Sequence, residues 1–307
     1  MTPPQIAPDP MTMACLEVWG GNEPVDTALR VPGLDVWVYA VPFGNSLAGG
    51  DVHFVSSCGT GRIARLMVAD VSGHGAEVAG IARGLRNLIH RFMNHVDPRR
   101  FVRAMNRDFT QLSKIGRFAT AVVMTYFSPT GEMSLCNAGH PPPLVYQRAK
   151  GQWRYVEGVE DAREGNLPLG ISGDGTYGQF KLDLATGDLV LCYTDSLVEA
   201  VCRDGSLLGY ARLLDLMRTI SVDEPAHWIH HLLAKMAVVG ATPNDDVTLL
   251  LTRCNGRSPG AGLGARLRAL VKFVGQVLTV RRNIPWPEVS VKLIRGVVPP
   301  FWKRQRN

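Results

Sequence analysis

The sequence predicts a layered α+β domain, and three observations carry the prediction. Apolar runs rich in Val, Leu and aromatic residues recur at 34–41, 62–71, 118–127, 132–137, 142–147, 177–184, 187–194 and 247–253, with Gly, Pro or Asp between them, and read as strands. Apolar residues at helical spacing come in two pairs of segments instead of one helix after each strand. Strands gathered in hairpins and helices gathered in pairs argue against a parallel βαβ sheet.

The first helical pair is marked by Val78, Ile81, Leu85, Leu88, Ile89 and Phe92, and then by Phe101, Met105, Phe109 and Leu112. Between them Asp97-Pro98 supplies a cap and a first-turn proline. A second pair covers 209–220 and 224–238, the latter with Trp228, Ile229, Leu232, Leu233 and Met236 on one face. The domain is assigned to residues 34–255, long enough for one sizeable core, and the 46% hydrophobic content is ordinary for a globular chain.

The ends read differently. Residues 1–33 hold three prolines before position 10 and no heptads, so they form an N-terminal extension with no folded sensor, in which Met13–Trp19 adds an edge segment to the core. Residues 256–307 form a basic C-terminal extension: from 257 onward there are eleven Lys/Arg against Glu288 alone, which leaves −4 of the overall +6 for the rest of the chain. Ser258-Pro259-Gly260 reads as a linker. Beyond it Leu263, Leu267, Leu270, Val271, Val274, Val277 and Leu278 make an apolar stripe bordered by Arg266, Arg268, Lys272, Arg281 and Arg282.

Such a basic amphipathic helix suits an anionic lipid surface, an acidic partner, or its own domain, so contact with a membrane or an acidic partner is expected through residues 263–307. No nucleic-acid module accompanies the charge, and no nucleic acid is expected. No apolar stretch reaches the roughly 18 residues of a membrane span, and the start lacks a signal-peptide pattern. The expected location is the cytoplasm, with the thiols reduced and the tail as the route to a peripheral membrane position.

Asp70-Val71-Ser72-Gly73-His74-Gly75 carries the most chemistry, because Asp70 leaves the apolar run Leu66-Met67-Val68-Ala69 and enters a glycine turn. Comparable settings hold Asp51 after Gly49-Gly50, Asp195 at the end of Leu189–Thr194, and Asp245 ahead of Val247–Leu251. Alone, each aspartate reads as a turn residue or helix cap sooner than as a ligand. Together they suggest one convergent site, which needs a cation because several carboxylates in one cleft cannot all stay ionised. Oxygen ligands favour Mg²⁺ or Mn²⁺. Zinc spacing is absent: Cys15, Cys58, Cys136, Cys192, Cys202 and Cys254 form no C-x-x-C pair and no H-E-x-x-H occurs.

Six segments in order resemble the SpoIIE/RsbU-type branch of the PPM (PP2C-like) serine/threonine phosphatases: Gly49-Gly50-Asp51, Asp70–Gly75, Asn137-Ala138-Gly139-His140-Pro141, Leu167-Pro168-Leu169-Gly170, Tyr193-Thr194-Asp195 with Glu199-Ala200, and Asp245-Asp246-Val247-Thr248. The resemblance spans residues 34–253. It implies a sandwich of two antiparallel β-sheets flanked by helices, with two metal ions at one end. It makes Asp70 the bridging ligand with the Val71 carbonyl beside it, gives Asp51 to one ion and Asp195 and Asp245 to the other, and leaves Asp246 in support.

Two metals near each other activate a water and neutralise phosphoryl oxygens, so no covalent phosphoenzyme is needed, and neither a C-x₅-R signature nor a phosphate-binding G-x-x-x-x-G-K-[ST] loop occurs. His74 is a candidate to protonate the leaving oxygen, or a polar residue that holds the turn. His140 reads as loop-ordering, with Asn137 and Gly139 shaping a turn that Pro141, Pro142 and Pro143 stiffen. Ser196 departs from the family, which has glycine after the Tyr-Thr-Asp aspartate; if that position needs positive φ, serine is strained by roughly 1–2 kcal/mol.

The implied activity is Mg²⁺- or Mn²⁺-dependent hydrolysis of phosphoserine or phosphothreonine in a regulatory protein, such as a phosphorylated anti-sigma-factor antagonist. The competing class is a phosphatase-fold binding module that docks a signalling partner or a membrane. A metal-dependent phosphodiesterase or nuclease lacks a phosphate-cradling glycine loop.

Overall fold

Few strands of this chain show the alternation of a half-exposed sheet, because both faces of each sheet are covered. In a computed structural model, residues 10–257 are described except 15–16, 59–60, 74–75, 94, 113–115 and 157–165. One sheet runs in spatial order β1 (Met11–Thr12), β3 (Val25–Val31), β4 (Leu34–Val41), β13 (Val247–Cys254), β12 (Leu189–Tyr193), β9 (Leu144–Gln147) and β10 (Gln152–Tyr155). The other runs β11 (Phe180–Asp183), β8 (Glu132–Ala138), β7 (Ala119–Phe127), β6 (Ile63–Val71), β5 (Asp51–Ser57) and β2 (Val18–Gly21). Neighbours are antiparallel apart from the two-residue β1–β3 pairing.

The side-chain period of two divides each strand between two cores. On β6, Leu66 and Val68 join the layer between the sheets, while Met67, Ala69 and Val71 face helices α1 (Ala76–Phe92) and α2 (Pro98–Leu112). On β13, Leu250 lies between the sheets, and Leu249 and Leu251 pack under α3 (Gly209–Arg218) and α4 (Pro225–Val238). The order of layers is helices, sheet, sheet, helices, as the family resemblance implies.

The helices form where the periodicity puts them. Val78, Ala82, Leu85 and Ile89 of α1 and Phe101, Met105 and Phe109 of α2 are buried together. Asp97 caps α2 through the Arg99 N–H at 2.9 Å, with Pro98 in the first turn, where a missing N–H costs nothing. Pro225 starts α4 in the same way, and Trp228 beneath it is fully buried, a site where truncation to alanine costs about 3–5 kcal/mol.

Residues 11–31, which the sequence reading gives to the N-terminal extension, supply β1, β2 and β3 to the two sheets. Strands β5 and β10 are also absent from the predicted set. Polar Asp51, His53, Ser56 and Ser57 interrupt the apolar run of β5, yet the whole strand is buried. The basic segment beyond residue 257, with its apolar stripe and Trp286, Phe301 and Trp302, lies outside the described residues. Among the described residues no helix is long and apolar enough to cross a membrane, and no disulfide joins the cysteines.

Candidate metal centre

The antiparallel register brings carboxylates to one end of the sandwich. Asp51 opens β5 and pairs directly with Asp70 near the end of β6. Like charges facing across an antiparallel pair are destabilising unless something neutralises them. In the opposite sheet, β12 and β13 are antiparallel neighbours, so Asp195, just past the end of β12, and Asp245, just before the start of β13, fall on the same edge. The two sheets are tied there by Thr194, whose hydroxyl donates to Asp51 Oδ2 at 3.0 Å and accepts from the Thr248 N–H at 3.0 Å.

The electrostatics follow from this placement. Burial, reinforced by the Asp70 charge, pushes the Asp51 carboxyl well above the usual carboxylate range, and its Oδ1 is buried with no hydrogen-bond partner. Burial and the charges of Asp195, Asp245, Asp246 and Glu199 push Asp70 up to about 7. Asp195 is raised too, by burial and then by Glu199 and Asp245. All the oxygens are hard donors, an orphaned one among them, and each shifted group is held in a state that a nearby cation would relieve. The residues therefore fit a divalent metal. Among the described residues no three His, Cys, Asp or Glu stand at metal-holding separations.

The adjacent Asp245 and Asp246 have different surroundings. Asp246 accepts from the Phe43 N–H at 2.6 Å and the Gly50 N–H at 2.5 Å, so its carboxylate fastens the loop before β5. Asp245 is exposed, and its Oδ1 takes only the neighbouring Asp246 N–H. The glycines before Asp51 make the fastening possible. A Cβ on Gly49 would lie 2.3 Å from Asp246 Oδ2, and one on Gly50 would lie 3.0 Å from the Val71 carbonyl oxygen.

The Asn137–Pro141 segment orders a loop. The Asn137 side chain accepts from the His140 N–H at 2.7 Å and donates to the His140 carbonyl at 2.8 Å. Gly139 holds φ +68, and a Cβ there would strike Pro168 at 2.6 Å, so this motif and Leu167–Gly170 pack together. The His140 ring meets the Thr120 hydroxyl at 2.8 Å, and Thr120 pairs with Asp70 across β7 and β6. Burial holds the imidazole down to about 3, which keeps it neutral.

Ser196 sits in the 3₁₀ turn Asp195–Leu197 with helical backbone angles, buried, its hydroxyl 3.3 Å from that of Thr194. The positive φ that would strain serine is absent, so the conditional strain does not arise. His74 lies outside the described residues. The sequence reading does not single out Thr120, which links His140 to Asp70, and it quotes Thr194 and Glu199 in a motif without giving them roles: Thr194 ties the sheets, and the charge of Glu199, one turn past Asp195, reaches Asp70. An open groove of about 500 Å³, lined by Val41, Phe43, Leu233, Met236 and Val247, adjoins Asp245.

Comparison with known proteins bears on the family and the fold. The model of a family described as Stage II sporulation protein E (SpoIIE) matches residues 60–255. The phosphoserine phosphatase RsbU of Bacillus subtilis (strain 168) is 26% identical over 227 residues, covering 72% of this chain and 63% of the relative, so the chain spans less than two thirds of that relative's length. The crystal structure of the RsbU and RsbW domains of Rv1364c from Mycobacterium tuberculosis superposes with TM-score 0.65 at 28% identity, over 84% of this chain and 71% of that one. RsbX in complex with magnesium gives TM-score 0.53 at 14% identity, over 75% of this chain and 99% of that one, a likeness of fold alone.

Proposed function

The chain belongs to the SpoIIE family, and from that premise we propose that it is a metal-dependent protein phosphatase acting on phosphoserine or phosphothreonine. The observation that carries the reading is the direct pairing of Asp51 with Asp70 on adjacent strands, with Asp195 and Asp245 at the same end of the sandwich. Asp51, Asp70, the Val71 carbonyl, Asp195 and Asp245 would hold two Mg²⁺ or Mn²⁺ ions. When bound, such ions lower the pKa of water and neutralise phosphoryl oxygens.

The chain's own residues supply orientation. Thr194 fixes one oxygen of Asp51, and the other is buried without a hydrogen-bond partner. Asp246 fastens the loop that carries Gly50 and Asp51. His140 and Thr120 brace β7 where it pairs with Asp70. His74, four residues past Asp70, is assigned the proton donated to the leaving serine or threonine oxygen.

The proposed substrate is a small phosphorylated regulatory protein of the anti-sigma-factor antagonist class, supported by the resemblance to RsbU. We assign catalysis to the sandwich, and we assign contact with an acidic partner or an anionic membrane surface to residues 263–307, on their excess of Lys and Arg. Hydrolysis of p-nitrophenyl phosphate and of a phosphoserine peptide, with Mn²⁺, Mg²⁺ or EDTA, tests the activity. Turnover should require the metal and vanish in Asp70→Asn; nearly full metal-dependent turnover in that variant refutes the mechanism.

A further inference from the structure

Helix α4 carries three histidines within five residues, His227, His230 and His231, and the phosphatase chemistry uses none of them. His230 is engaged: its Nε2 lies 2.8 Å from Asp26 Oδ2 on β3, and its ring meets Tyr39 edge-on at 5.9 Å. His227 and His231 are different. Four residues apart, they occupy neighbouring turns of the same helix face. Their rings lie 6.3 Å apart between centroids and 35° from parallel. Among the described residues, neither side chain has a hydrogen bond or ion pair with the protein. His231 is exposed and His227 half-buried, so solvent reaches the pair.

Two unengaged imidazoles thus stand on successive turns of one helix face, their rings within reach of a common ion. Imidazole nitrogen suits Zn²⁺, Ni²⁺ and Cu²⁺, whereas carboxylate and carbonyl oxygens suit Mg²⁺ and Mn²⁺. We propose that His227 and His231 form a second metal site on α4, one that takes a transition-metal ion by two-point chelation and is chemically separate from the carboxylate centre.

No third His, Cys, Asp or Glu joins the pair among the described residues, so water completes the coordination. Structural zinc sites close with four protein ligands, and a two-ligand site instead exchanges its ion with the medium. Lys235 follows His231 by one further turn, and its positive charge also works against tight binding. The ion braces the helix that walls the groove beside Asp245, since Leu233 and Met236 of α4 line that groove. The site does not depend on the phosphatase reading.

Titration calorimetry of the untagged full chain with NiCl₂ tests the proposal, in saturating Mg²⁺ so that the oxygen-rich centre is occupied. Wild type and His230→Gln should each show one saturable nickel site, and His227→Gln and His231→Gln should each lose it while keeping the wild-type circular dichroism spectrum. Three results overturn the proposal: no saturable nickel binding by the wild type, binding that survives in the His227→Gln/His231→Gln double variant, or binding that disappears in Asp70→Asn.

Discussion

Thr194 reaches from one sheet to the other, its hydroxyl 3.0 Å from Asp51 Oδ2 while it accepts from the Thr248 N–H. One side chain thereby sets the orientation of a carboxylate on the opposing sheet. Thr194→Val keeps the shape and removes both contacts. The buried Thr248 N–H and the Asp51 carboxylate then lose a partner, at a cost of about 1–3 kcal/mol in urea unfolding. Affinity for Mn²⁺ should fall by roughly 10–100-fold, as for other residues that orient a ligand without touching the metal. Calorimetric Mn²⁺ affinity equal to wild type would show that the hydroxyl does not position Asp51.

Buried His53 gives the protein a defined sensitivity to acid. Its ring packs on Trp19, 5.1 Å between centroids, its Nδ1 has no hydrogen-bond partner, and burial holds its pKa down to about 4. The unfolded chain binds the proton at an ordinary pKa of about 6.5, so the unfolded state takes up more protons as the pH falls between 6.5 and 4. Stability is therefore intact above 6.5 and lost through that window, by about 2 kcal/mol at pH 5 from this residue. His140, held to about 3 by burial, acts in the same direction. The difference in urea midpoint between pH 7.5 and pH 5 should shrink in His53→Gln, and an unchanged difference removes His53 from the account.

Serine after the Tyr-Thr-Asp aspartate is an accommodated residue here. Its helical backbone angles need no glycine, and its hydroxyl lies beside that of Thr194. Ser196→Gly should therefore destabilise the protein, by about 0.5–1 kcal/mol through the added freedom of the unfolded chain. Metal-dependent turnover should stay near wild type. A gain in thermal stability would mean that serine is strained at this position.

What the sequence revealed depended on whether local pattern and tertiary role coincided. β6 and β13 were legible because burial on both faces makes their apolar runs continuous. β5 was not, because Asp51, His53, Ser56 and Ser57 are polar residues buried by position in the sheet. β3 was lost in a stretch read by its prolines, although Ala28, Leu29 and Val31 are buried in it. The placement of the carboxylates was legible because each lies at or just beyond a strand end beside a turn. Thr194 and Thr120 were not, since their roles arise from cross-strand and cross-sheet partners that sequence spacing does not encode.

Asp245 and Asp246 differ by one position and by everything their carboxylates touch, which allows their roles to be separated. Asp246 is held by the Phe43, Gly50 and Asp51 N–H groups, so Asp246→Ala leaves three backbone donors without that acceptor and loosens the loop that carries Asp51. Asp245 makes one bond, to the N–H of its own neighbour, and is exposed. Asp245→Asn should keep the wild-type unfolding midpoint in EDTA and lose Mn²⁺ affinity and turnover. Asp246→Ala should cost about 1–3 kcal/mol of stability and so lower that midpoint, with metal affinity falling as a consequence. If Asp245→Asn instead bound Mn²⁺ normally while an equally stable Asp246→Asn did not, the ligand would be Asp246 and the register one residue out. Unfolding in EDTA reads the fastening of the loop, metal titration reads the ligand, and the pair of variants keeps the two apart.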